Sequence, residues 1–257
     1  KVQNQTSKVQ RPMSKVQRPM SKVKTIPPHD ITGKKITPYL PKAEILIRLM
    51  NESQVILHGM NTKATMIWPW GQGRGPKMPS LKKKYGVKGS VITAVHLLKG
   101  LGKTLGMESI DVPGATGYLD TNYKGKAEYA LKALEKKDIV FVHVEAPDEA
   151  GHEGDVTKKI KAIEDFDKYV VGTVLSKVRS PKSNVRILVL PDHPTPIKIM
   201  THSSEAVPFV IYGAGGKSRE QQGLAGISRY NEKEIRKSKL TIKNGYELLG
   251  KFIGGKI

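Results

Sequence analysis

Apolar residues recur at helical spacing along several stretches of the chain and gather into short continuous runs between them. From about Lys42, the residues Ile45, Leu46, Leu49 and Met50 share one face and predict a helix, followed by a strand-like segment from Gln54 to Leu57. Val91, Val95 and Leu98 mark a second helical face, and Ala127, Ala130, Leu131 and Leu134 a third. Val156, Ile160, Ile163, Val170 and Val174 mark a long fourth. Between these lie Ile139 to Val142, Val185 to Leu190 and Val207 to Tyr212, runs of the kind that form strands covered on both faces. Helix and strand alternate beyond Tyr85, so the expected class is α/β with a parallel sheet flanked by helices. Ligands in such a sheet bind just past the carboxyl ends of the strands.

Upstream the pattern is weaker. Pro27, Pro28, Gly33 and Pro38 punctuate a loop, and Trp68 to Pro76 (WPWGQGRGP) reads as a binding loop or a tight connection around one guanidinium and two large rings. Residues 1–24 hold two identical SKVQRPM copies and the start of a third, with seven basic residues and no acid, and are read as a disordered basic arm. With 44 Lys and Arg against 23 Asp and Glu, the 257-residue chain carries +21 charges, which invites anionic partners such as nucleic acid or phosphorylated metabolites. Aromatics make up only 6% and the arm has none, so the stacking residues of a nucleic-acid binder are missing and that reading ranks below the metabolite one. The absence of cysteine excludes disulfides and thiolate metal sites. No apolar run approaches the ~20 residues of a membrane span, so a cytoplasmic protein without a membrane partner is expected.

Two segments at strand ends carry the chemistry. After the run ending at Val142 the chain reads HVEAPDEAGH, placing Asp148 and His152 four apart on one side of a helical turn, a spacing that suits two ligands of one metal ion. After the run ending at Leu190 comes PDHPTP, with Asp192 and His193 pointing in different directions so that each can serve a different ion of a close pair; His202 follows. One such carboxylate–histidine pair is ordinarily a solvated surface pair. Three of seven histidines and two aspartates at the mouths of successive strands favour instead a centre for Mn²⁺, Mg²⁺, Co²⁺ or Zn²⁺. His58, His96 and His143 have no evident place in it.

The segments VHVEAPDEAGH (142–152), LPDHPTP (190–196), THS (201–203) and PFV (208–210) resemble the metal-binding motifs of the archaeal-type cofactor (2,3-bisphosphoglycerate)-independent phosphoglycerate mutases, members of the alkaline phosphatase superfamily. PHDITG (28–33), WGQGRGP (70–76) and PGATGY (113–118) extend the likeness from about Thr25 to the C-terminus. The resemblance implies a three-layer α/β/α fold with a mostly parallel sheet plus part of an inserted smaller α+β domain. It assigns residues 25–84 to the remainder of the inserted, substrate-binding domain and 85–257 to the C-terminal part of the metal-binding domain. It implies two divalent ions, one held by Asp148, His152 and His202 and a second held in part by Asp192 and His193. A serine would take the phosphoryl group from 3-phosphoglycerate and return it to the 2-hydroxyl. Arg74 becomes the candidate grip on the substrate's carboxylate or phosphate, with His29 and Asp30 on the substrate side, and Lys99, or failing it Lys103, the basic group near the phosphoserine.

One departure qualifies the likeness. The family's Asp-Gly segment, which supplies an aspartate to the second ion, and its Gly-Ser-Asp-Thr-like nucleophile loop are not found in these 257 residues; the arm stands in their place. The likeness thus begins partway through the inserted domain, and the expectation is an N-terminally truncated chain. A rearranged gene, a separately encoded N-terminal fragment as partner, or a misassigned start each account for it. An inactive fragment or a homo-oligomer is compatible with all three. Another metal-dependent phosphatase or phosphopentomutase would share the ligands but not GQGRGP and PGATGY, so the mutase is preferred.

Overall fold

The computed structural model describes residues 23–179, 183–213 and 229–257, and the chain divides into two units, Lys1–Gly75 and Pro76–Ile257. The basic arm expected over residues 1–24 falls almost wholly outside the described residues. The division lies nine residues before the 84/85 boundary drawn from the sequence.

In the first unit, single 3₁₀ turns at Pro28–Ile31 and Thr37–Tyr39 lead into helix α1 (Glu44–His58). The strand expected at Gln54 to Leu57 is instead the last turn of α1. The buried Leu46, Met50 and Ser53 continue one helical stripe, and Val55 and Ile56 face solvent, so the short apolar run reflects no sheet. Ser53 Oγ donates to the Met50 carbonyl and accepts from the Ile67 amide at 3.0 Å, tying the following segment to the helix.

The second unit opens with helix α2 (Leu81–Tyr85), capped by Ser80 Oγ, and strand β1 (Gly89–Ile92). Helix α3 (His96–Thr104) and strand β2 (Glu108–Ile110) follow, then α4 (Tyr123–Leu134), β3 (Ile139–Val142) and α5 (Ala146–His152). Next come α6 (Val156–Asp165), a π-helical segment (Phe166–Val171), α7 (Gly172–Val178), β4 (Ile187–Val189), β5 (Val210–Tyr212), α8 (Glu232–Ile235) and α9 (Leu248–Ile253). Strands β2, β1 and β3 pair in that order, all parallel, which gives the α/β class with a mostly parallel sheet.

The single helical face expected through Val91, Val95 and Leu98 is two elements. All four residues of β1 are buried at the centre of the sheet, which favours the β-branched Val91 and Ile92, and the helix begins only at His96. β4 and β5 also depart from a uniform parallel sheet. They pair antiparallel with each other, Leu188 opposite Ile211, because no crossover helix of the kind a parallel return needs lies between them. Pro208, which lacks an amide hydrogen, precedes the paired part of the expected 207–212 run. The core lies where α4, α5, α6 and the π segment meet (Tyr123, Ala127, Ala146, Ala162, Val170) and beneath β1 (Leu81, Val91, Met107). The outer face of α6 is apolar but exposed at Val156, Ile160 and Ile163.

Candidate metal centre

The loops after β3 and β4 deliver their polar side chains to one place. Pro147 fits the first turn of α5, where no amide partner is needed, and the turn's free N–H groups favour the carboxylate of Asp148. One turn later His152 projects to the same side. His202 arrives from beyond β4: its Nε2 lies 3.1 Å from His152 Nε2 and 3.5 Å from Asp148 Oδ1, while His152 Nε2 is 3.3 Å from Asp148 Oδ2. Donors around one ion at about 2.1 Å stand about 3.0–3.4 Å apart in tetrahedral or octahedral arrangements, so the two imidazole nitrogens and the Asp148 carboxylate are spaced much as ligands of one cation would be.

The donor chemistry fits as well. His152 Nδ1 lies 3.0 Å from the Met200 carbonyl, which can only accept, so Nδ1 carries a hydrogen and Nε2 is the nitrogen turned toward Asp148 and His202.

His193 adjoins this triad. Its ring lies 3.8 Å from that of His202, centroid to centroid, and its Nδ1 is 4.0 Å from Asp148 Oδ1. Asp192 stays at the rim, mostly exposed, with its oxygens on the His193 amide at 3.1 Å and on His193 Nε2 at 3.4 Å. Lys99 is engaged elsewhere: its Nζ donates to Asp111 Oδ1 at 2.6 Å, and it makes no hydrogen bond or ion pair to the triad. In the first unit, His29 lies 3.7 Å from Asp30 and edge-on to Trp70, while Arg74 is exposed.

Several residues around the triad carry no sequence signal as strong as that of the candidate ligands. His143, set aside from the sequence, bonds Thr93 Oγ1 through Nδ1 and Glu145 Oε2 through Nε2, each at 3.1 Å. Burial holds its pKa below the usual imidazole range. Glu145 is pushed up to about 7, first by burial and then by the neighbouring Asp148, Glu149 and Asp192 charges. Oxygens of Glu145, Asp148 and Glu149 form a second close group. Behind them Lys126 of α4 is fully buried and donates to the His143 carbonyl at 3.1 Å; burial lowers its pKa to about 8. Thr195, between two prolines, is 5% exposed and donates its hydroxyl hydrogen to Asp148 Oδ1.

Comparison with known proteins places the chain in a family. The model of the Metalloenzyme superfamily matches residues 10–240. A protein of Geobacter sulfurreducens named probable 2,3-bisphosphoglycerate-independent phosphoglycerate mutase is 46% identical over 237 residues, 87% of this chain and 58% of the relative. The 2,3-bisphosphoglycerate-independent phosphoglycerate mutase of Methanosarcina mazei is 45% identical with the same coverage, 87% and 58%. Among solved structures, the PH0037 protein of Pyrococcus horikoshii aligns with a TM-score of 0.54 and 30% identity, over 63% of this chain and 40% of that one. The chain thus spans less than two thirds of the length of the curated relatives it matches.

Proposed function

The chain belongs to the metalloenzyme superfamily, and from that premise we propose that it forms the metal-binding part of a 2,3-bisphosphoglycerate-independent phosphoglycerate mutase, an isomerase interconverting 3-phosphoglycerate and 2-phosphoglycerate in the cytoplasm. The observation that carries the reading is the convergence of Asp148, His152 and His202 within 3.1–3.5 Å of one another. Asp148, His152 and His202 would hold one divalent ion, and His193 with Asp192 would contribute to a second. Bound ions would supply charge neutralisation for a transferring phosphoryl group and lower the pKa of a hydroxyl nucleophile.

The remaining chemistry falls to the chain's own side chains. Arg74 presents an exposed planar fork, the geometry that grips a carboxylate or phosphate through two oxygens. His29 and Asp30 accompany it in the same unit. Lys99 enters with its ammonium paired to Asp111, so service to a phosphoryl group requires that pair to open. No helix among the described residues is long and apolar enough to cross a membrane.

Phosphorus NMR of the chain mixed with 3-phosphoglycerate and Mn²⁺, without bisphosphoglycerate, tests the proposal. Appearance of 2-phosphoglycerate, lost in Asp148→Ala, supports it. Free phosphate alone transfers the reading to a phosphatase of the same superfamily. No turnover despite bound Mn²⁺ denies mutase activity to this segment by itself.

A further inference from the structure

Thr195 is the point at which the loop after β4 is fastened to the helix after β3. Its backbone carbonyl accepts a hydrogen bond from Lys159 Nζ of α6, and Pro194 and Pro196 fix the backbone on either side. The Pro194 carbonyl accepts from the Ser203 amide at 3.2 Å and that of Pro196 from the Met200 amide at 3.0 Å, so the loop folds back toward His202. The loop packs against α5 at Gly151: a Cβ there would stand 2.7 Å from the Thr195 carbonyl oxygen and 2.9 Å from its methyl group. Only glycine permits that approach, and the next residue is His152.

From this clamp the Thr195 hydroxyl reaches Asp148 Oδ1, the oxygen that faces His202, and lies 3.4 Å from His193 Nδ1. A carboxylate pivots freely about its last bond unless something holds it. With Oδ1 held by Thr195, the plane is set and Oδ2 is turned to His152. We infer that Thr195 is the positioning residue of the metal centre, fixing the orientation of Asp148 and thereby joining the β3 and β4 halves of the ligand set. This rests on the reading of Asp148, His152 and His202 as metal ligands. Loss of such an outer hydrogen bond typically costs about 10–100-fold in metal affinity.

The test is calorimetric titration of the full chain with Mn²⁺ for the parent and for Thr195→Val, Thr195→Ser and Gly151→Ala. Valine keeps the shape and removes the hydroxyl, and its affinity is expected to fall about 10–100-fold. Serine keeps the hydroxyl and is expected to bind within about threefold of the parent, which a merely structural role for the methyl group would not produce. Gly151→Ala leaves both partner side chains intact but displaces the Thr195 backbone, so it is expected to weaken binding too, and it decides the matter if the valine variant does not fold. Parent-like affinity in Thr195→Val, or in a folded Gly151→Ala where valine fails, overturns the positioning role while leaving the metal site standing. Absence of Mn²⁺ binding by the parent overturns the site itself and the role with it.

Discussion

The carbonyl of Met200 lies 3.0 Å from His152 Nδ1, and this contact decides which nitrogen of the ring is turned toward Asp148 and His202. Met200 reaches it from a left-handed backbone conformation, φ 52°, the sole positive φ outside glycine among the described residues. Such strain in a bulky residue persists where the surrounding structure holds it, and here it aims a carbonyl at His152. Met200→Gly adopts the same φ without cost and is expected to keep Mn²⁺ affinity within a few-fold. Met200→Val, β-branched at that φ, is expected to lose about 1–2 kcal/mol of stability and to bind Mn²⁺ more weakly. Urea unfolding and calorimetry on the two variants check this; equal affinities would free His152 from its carbonyl.

Metal binding is also expected to appear as stability. An ion that binds the folded chain alone, at 100 times its Kd, adds about 2.7 kcal/mol to unfolding. Asp148→Ala removes the carboxylate shared by both imidazoles and is expected to abolish that increment. Thermal unfolding with Mn²⁺ and with a chelator, in parent and variant, measures it. A parent whose unfolding is indifferent to the ion would contradict the donor geometry.

Much of the fold and of the candidate metal cluster is legible in the amino-acid sequence. The run Ile139 to Val142, four apolar residues with three β-branched, forms a half-buried strand paired parallel to β1. Asp148 and His152 meet because four residues is one helical turn. The 91/95/98 spacing misleads because a buried strand also carries apolar residues every fourth position, and burial of β1, not periodicity, decides the matter. Lys126 gives no signal because lysine is seldom interior, although it sits on the same stripe as the buried Tyr123 and Ala130. Thr195 gives none because its importance lies in a tertiary contact with a residue 47 positions away, which no local spacing announces.

Lys126 makes stability depend on alkaline pH with a definite sign. In the folded chain its ammonium gives up the proton near pH 8, chiefly because it is buried, whereas an exposed lysine keeps it to about 10.4. Below pH 8 both states are protonated and the folded one bears the whole burial penalty. Between these values the unfolded chain binds more protons, so stability attributable to this residue rises with pH. Lys126→Met has no such dependence. Its stability relative to the parent is therefore expected to decline by on the order of 1 kcal/mol between about pH 7.5 and 9.5, measured by urea unfolding at both. A difference that stays constant across that range would show that the ammonium is not desolvated.

The seat of α3 on β1 offers a test of the fold independent of any metal. At Gly102 a Cβ would lie 2.5 Å from Val91 Cγ1 and 3.9 Å from Met107 Cβ, so helix and strand meet there at backbone distance. Alanine is the better helix former by about 0.8–1 kcal/mol, which on an open helix would stabilise the chain. Here the new methyl must displace Val91, which is 6% exposed, β-branched and held between the paired strands β2 and β3. Overpacking of this kind costs about 1–3 kcal/mol, more than the propensity returns. Gly102→Ala is therefore expected to lower stability by about 0.5–2 kcal/mol. Adding Val91→Ala makes room for the methyl, so the double variant is expected to be more stable than the sum of the single losses predicts. Urea midpoints of the four proteins measure the coupling; a rise in midpoint for Gly102→Ala alone would place α3 farther from the sheet than the contact with Val91 requires.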